Sequence, residues 1–184
     1  MASVLISLAQ GCEELEAVTI IDLLRRAEIE VVTVGLDERP VRASRGVELI
    51  PDAHLADVIR QSFDMIVLPG GLPGSDYLND DDRIHQILKK MSMENKWLAA
   101  ICVAPKILAC AGLLENRKVT SFPGALEEYD IKGMVYSTAS VVVDGNIVTS
   151  RGPGTAIDFA LTLIELLCGS EKRIVVEKPL QRSY

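Results

Sequence analysis

Basic side chains are scarce in this chain, and they are dispersed. Nineteen Lys and Arg stand against twenty-six Asp and Glu, leaving a net charge of −7, and no basic run exceeds two residues. Nucleic-acid backbones and anionic membrane surfaces are gripped by dense positive patches, so neither is expected as a partner. Histidine is rarer still, with only His54 and His85. The four cysteines, at 12, 102, 110 and 168, include no CxxC pair. The ligand spacing of a zinc cluster is therefore missing, and no metal or organic cofactor is expected. No apolar run approaches the ~18 residues that cross a bilayer. The opening MASVLISLAQGCEE has no basic segment ahead of its apolar stretch, so it reads as a buried strand rather than a signal peptide. A reducing cytoplasm is the expected compartment.

What is present is an ordinary globular composition. Its 184 residues, 48% of them hydrophobic, suffice for one core without a disulfide staple. Repeats, low-complexity tracts and linkers are absent, and residues 1–184 read as a single domain. Short runs rich in Val, Ile and Leu (Val4–Leu8, Glu28–Gly35, Asp64–Leu68, Trp97–Ile101) alternate with helical patterns at Glu14–Ala27, Asp80–Met93 and Gly154–Cys168. A further helical segment follows Cys102 and reaches Ala111-Gly112. Alternating apolar positions over Val41–Ile50 indicate a small hairpin turning at Ser44-Arg45-Gly46. Val119–Ser121 reads as a short strand, and a second hairpin is expected over Val135–Ser150 around Asp144-Gly145. The rhythm is that of an α/β fold, a mostly parallel sheet with helices on both faces. Ligands bind such sheets at the C-terminal ends of the strands.

Three strand ends and one helix carry the candidate chemistry. Ala99-Ala100-Ile101-Cys102-Val103-Ala104-Pro105 places one cysteine among small residues at a strand-to-helix junction, the layout of a nucleophile elbow. Helix amides there would lower a thiol's pKa from about 8.5. The alternative is a buried structural cysteine, as expected for Cys110 and Cys168 among apolar helical neighbours. Leu68-Pro69-Gly70-Gly71 ends the second strand. Its glycines let backbone N–H groups approach a ligand, as an oxyanion hole with the Val103 amide, or simply make a tight turn. Thr149-Ser150-Arg151-Gly152-Pro153-Gly154-Thr155 lacks both GxGxxG and the P-loop lysine, and reads as a shaped turn before the last helix.

The helix is the one beginning at Glu14. At about 100° per residue, Glu16 aligns with Ile20, Leu23 and Ala27, opposite Thr19, Asp22, Arg25 and Arg26. An acid on the apolar face must be neutralised or partnered. A protonated Glu16 donating to a Cys102 thiolate would satisfy both groups. Glu13 and Glu14, by contrast, read as ordinary first-turn acids favoured by the helix dipole.

Together, Gly11-Cys12-Glu13-Glu14-Leu15-Glu16, Val67-Leu68-Pro69-Gly70-Gly71, the Cys102 segment and the 149–155 segment resemble the ThiJ/PfpI superfamily. The branch they resemble includes the parkinsonism-associated protein deglycase and bacterial YajL. The resemblance implies a flavodoxin-like three-layer sandwich and a homodimer. It implies Cys102 as nucleophile, Glu16 as its partner, and Gly70, Gly71 and Val103 as amide donors. It puts Arg26 and Arg45 at the pocket mouth near a dimer interface, though both also read as solvated surface arginines. The activity implied is a cofactor-independent glyoxalase or deglycase acting on small α-oxoaldehydes such as methylglyoxal. Oxidative-stress sensing through a Cys102 sulfinate is the alternative. Phe122, in Thr120-Ser121-Phe122-Pro123, stands where the parkinsonism-associated protein has a histidine, and Val103 stands where PfpI-type peptidases have one. No cysteine–histidine dyad is thus expected, and both His54 and His85 read as surface residues.

Overall fold

The structure, a computed structural model, describes residues 1–182, so the expected domain of residues 1–184 extends past the described residues at Ser183 and Tyr184. In chain order the first half runs β1 (Ser3–Leu8), α1 (Glu14–Arg26), β2 (Glu30–Gly35), β3 (Val41–Arg42), β4 (Glu48–Leu49), β5 (Ala53–His54), α2 (Leu55–Val58) and β6 (Met65–Leu68). It continues with α3 (Gly74–Asp80), α4 (Asp82–Met93), β7 (Trp97–Ile101), α5 (Pro105–Cys110), β8 (Lys118–Val119) and β9 (Val135–Tyr136). β10 (Val141–Asp144), β11 (Ile147–Ser150), α6 (Ala156–Cys168) and α7 (Ser170–Glu177) complete it.

Seven strands form the central sheet in the order β10-β11-β7-β6-β1-β2-β5. Every pairing in it is parallel except β10 with β11. The apolar runs are continuous because both faces of this sheet are covered. Side-chain alternation then sorts each strand between two cores. Val4, Ile6, Met65, Val67, Ala99 and Ile101 face one way, against Ile20 and Leu24 of α1 and Phe159 and Ile164 of α6. Leu5, Ile66, Leu68, Leu98 and Ala100 face the other, against Ile84 and Leu88 of α4 and Ile107 of α5. This is the flavodoxin-like three-layer arrangement expected of the sequence.

The hairpin over Val41–Ile50 forms as β3 and β4, antiparallel, turning at Gly46 with φ +94°. The second hairpin is shorter than its pattern suggested. Only β10 and β11 make it, around Gly145 at φ +58°. Val135–Tyr136 instead pairs in parallel with Lys118–Val119, a partnership between distant segments that local alternation does not encode. α2, α3, α7 and β5 are further elements that the periodicity did not reveal.

The topology brings the C-terminal ends of β1, β6 and β7, three adjacent strands, to one edge of the sheet. All the candidate chemistry except the α1 arginine lies on or near that edge. Among the described residues, no helix is long and apolar enough to cross a membrane.

Candidate active site

Cys102 follows directly on β7 with φ +64°, a left-handed conformation that is uncommon for any residue but glycine. Such a backbone costs on the order of 1–3 kcal/mol and persists only where its surroundings over-determine it. Here both flanks are fixed. The Cys102 N–H donates to the Ser150 carbonyl of β11 at 3.0 Å, and the Cys102 carbonyl accepts from the Phe122 N–H at 2.8 Å. Pro105 then opens α5 at a position where its missing donor leaves nothing unsatisfied. The elbow read from the sequence is therefore built, with its side chain turned toward the β6 and α1 ends.

Glu16 arrives from the first turn of α1 and is completely buried. Its Oε2 accepts the Gly70 N–H at 2.8 Å, and its carboxyl meets the Cys102 thiol. Oε1 is buried and accepts no hydrogen bond of ordinary geometry. Burial raises the Glu16 pKa to about 7, and the Glu13 charge adds to the rise, against the Gly70 amide and the thiol. Near neutrality the group is therefore poised between acid and carboxylate, as its place on the apolar face of α1 implied.

Cys102 departs from its expectation. Burial comes first in pushing its thiol up, to about 12, and the Glu16 charge beside it pushes the same way. The Val103 and Gly71 amides pull the other way without prevailing. The depressed thiol pKa expected from the sequence is thus not found; a proton on Glu16 would remove the opposing charge but leave the burial in place. The residue is 8% exposed, a narrow opening rather than a sealed core position.

Gly70 and Gly71 play different parts. A Cβ on Gly70 would lie 2.5 Å from Cβ of Cys102 and 2.8 Å from Oε2 of Glu16, so only glycine lets β6 approach both. The Gly70 amide is already held by Glu16 and is not free to serve an oxyanion. Gly71, at φ +92°, turns its amide toward the sulfur instead, as does Val103. Gly152 is a lining residue that sequence reasoning missed, because its segment read only as a turn. A Cβ there would sit 4.0 Å from the Cys102 sulfur and 3.5 Å from the Phe122 ring. The turn itself exists, with Thr155 Oγ1 accepting the Gly152 N–H at 3.1 Å.

Phe122 is half exposed and flanks the opening. The two arginines are not gathered at the thiol within one chain. Arg26 lies ten residues beyond Glu16 along α1, roughly 15 Å at helical rise. It pairs with Asp22 at 2.7 Å. Arg45 is exposed in the β3–β4 turn, with its N–H on Glu14 at 2.8 Å and its guanidinium on the Ser44 carbonyl. Ser44 Oγ also bonds Glu13 and Glu14, which ties the turn to the start of α1. His54 and His85 are half-buried rather than on the surface, each with a ring nitrogen against a backbone carbonyl, of Asp37 and Asn79 respectively. Cys110 and Cys168, expected inside their helices, end them and are exposed.

Beside the thiol, a cleft of about 390 Å³ runs along Val103 and Phe122. A larger hollow of about 440 Å³ lies past the ends of β1 and β2, between Gln10, Asp37 and Tyr77. None of the residues implicated in the chemistry lines it, so size does not mark the site here.

A strained cysteine at a strand-to-helix elbow, paired with a buried glutamic acid from α1, defines a class of α/β protein built around one thiol. The chain belongs to the DJ-1/PfpI family, whose pattern matches residues 2–166. Its sequence is similar to Protein dj-1beta of Drosophila melanogaster, 40% identical over 183 residues that cover 99% of this chain and 98% of that protein. It is also similar to the Glutathione-independent glyoxalase DJR-1.2 of Caenorhabditis elegans, 35% identical over 93% of this chain and 91% of that one. The crystal structure of Drosophila DJ-1beta superposes with a TM-score of 0.94, at 40% identity, covering 100% of this chain and 99% of that chain. Oxidized Toxoplasma gondii DJ-1 superposes with 0.93, at 37% identity, covering all of both chains.

Proposed function

We propose that this protein is a cysteine-dependent, cofactor-independent glyoxalase, acting on methylglyoxal-type α-oxoaldehydes or their early adducts. The observation that carries the reading is the buried Glu16–Cys102 pair, in which an acid raised to about 7 meets a thiol faced by two backbone amides. The DJR-1.2 relative, named as a glutathione-independent glyoxalase, supports the same class.

With the proton on Glu16, the Cys102 thiolate adds to the aldehyde carbon and forms a hemithioacetal. The carbonyl electron pair becomes an alkoxide, steadied by the Gly71 and Val103 N–H groups and protonated from Glu16. Glu16, now a carboxylate, removes the C1 hydrogen as a proton to give an enediolate and returns it to C2, while the C1 hydroxyl proton passes to the C2 oxygen. The product is a lactoyl thioester on Cys102. Water cleaves its C–S bond, releasing lactate and the thiol. Carbon oxidation at C1 balances reduction at C2, so no external redox partner is required. Cys102→Ala is expected to abolish lactate formation from methylglyoxal; unchanged turnover would refute the assignment.

The same amides favour a second reading. Two equivalents of peroxide would convert the thiolate to sulfenate and then sulfinate, releasing water each time, with the new oxygens held by Gly71 and Val103. Intact mass after mild peroxide should then show two added oxygens mapping to Cys102. The exposed Cys110 and Cys168 are the competing positions, and oxygen found only there removes this reading.

A further inference from the structure

We propose that the cleft beside Cys102 is a subsite for a neutral aromatic substituent, so that the preferred substrates are aryl α-oxoaldehydes rather than methylglyoxal itself. The inference deepens the glyoxalase reading and rests on it for the reacting group. Its volume of about 390 Å³ falls within the ~300–1,000 Å³ range of pockets that enclose whole small molecules. Methylglyoxal presents only a methyl group beyond its carbonyls and would leave this space to water.

The cleft is continuous with the elbow, because Val103 donates its amide toward the sulfur and also lines the cleft wall. Leu72, Phe122, Pro123 and Ala125 supply the rest of its apolar side-chain surface. Two of its polar side chains, Lys106 and Tyr129, already have partners in the protein. The Lys106 ammonium is ion-paired with Asp76. The Tyr129 hydroxyl accepts from the Cys110 thiol at 3.7 Å. Glu128, exposed at the same cleft, adds negative charge and opposes an anionic group. For an uncharged substituent the main attraction is apolar contact with the Phe122 and Tyr129 rings, against which an aryl group gains both burial and ring–ring attraction.

Two readouts test this with the full chain. In the first, Cys102 alkylation by N-benzyl iodoacetamide is compared with iodoacetamide, using glutathione as the free-thiol reference and peptide mapping to isolate Cys102. The benzyl preference at Cys102 is expected to exceed that of glutathione at least tenfold. Ala125→Phe, which fills the cleft, should return it to the glutathione value while the iodoacetamide rate stays within twofold. Ala125→Met, a more flexible side chain entering the same space, should do the same if the first variant folds poorly. A preference equal to that of glutathione, or one that neither variant changes, overturns the subsite. In the second, kcat/KM for phenylglyoxal should exceed that for methylglyoxal about tenfold, and Ala125→Phe should lower only the former. Equal kcat/KM for the two in the wild-type protein also overturns it. If neither oxoaldehyde is turned over while the alkylation preference holds, the glyoxalase reading fails and the subsite stands.

Discussion

Glu16 has a measurable effect on stability as well as chemistry. Its folded pKa of about 7 lies above the ordinary value of 4.5. An acid raised on folding contributes most below its unfolded pKa, and that contribution is lost as pH rises through the folded value. At 1.36 kcal/mol per unit, the loss between about pH 4.5 and 7 is roughly 3 kcal/mol. Glu16→Gln keeps an oxygen for the Gly70 amide but cannot ionise, so denaturant unfolding of this variant should lack that component of the pH dependence. Its lactate production should fall by two orders of magnitude or more. A variant with wild-type turnover would show that Glu16 moves no proton. Gly70→Ala should cost about 1–3 kcal/mol, because its methyl overlaps Cβ of Cys102 and Oε2 of Glu16. A melting temperature unchanged from wild type would contradict that packing. The burial of Glu16 and the elbow at Cys102 were legible in the sequence, since both follow from local phase and spacing. The direction in which the thiol shifts was not. It is set first by burial of the sulfur and then by a carboxylate 86 positions away, both of which arise only in the assembled sheet.

At the scale of elements, the long amphipathic helices and the buried strands were evident because period and length agree. α3 was hidden by a poor helix-forming stretch, Gly74-Ser75-Asp76-Tyr77-Leu78-Asn79-Asp80, which forms because the fold packs Leu78 beneath it. α7 follows Gly169 at φ +86° and buries only Val176, so it carries almost no periodic signal. The ends of helices matter for thiol chemistry too. Cys110 closes α5 and Cys168 closes α6, and both are exposed, whereas Cys12 is 1% exposed with its thiol pushed up to about 11 by burial and by Glu14. Iodoacetamide at neutral pH should therefore label Cys110 and Cys168 well before Cys12. Time-resolved peptide mapping checks the order, and early labelling of Cys12 would contradict its burial. Any thiol titration of the intact protein must be read against these two exposed groups.

For the molecule as a whole, an apolar face remains exposed on α1 and beside it. Leu15 and Val18 of the helix and Val47 and Ile50 flanking β4 all present large hydrophobic side chains to solvent. Val18 and Ile50 share one hollow with Ile21 and Leu49. A homodimer through this face is the assembly we propose, in keeping with the family resemblance and with the position of Arg26 on the same helix. Light scattering should give twice the mass of the 20.0 kDa chain, and Val18→Glu should shift it toward the monomer. A wild-type mass of one chain removes the proposal. The sheet's outer strands, by contrast, offer little to a neighbour. β5 has two residues and runs straight into α2, and β10 has four. Ladders that short give an incoming chain few free N–H and C=O groups to copy. Among the described residues, the long, sticky apolar strands are locked in the middle of the central stack, so a crowded solution of folded molecules finds little there to seed self-templated fibre growth.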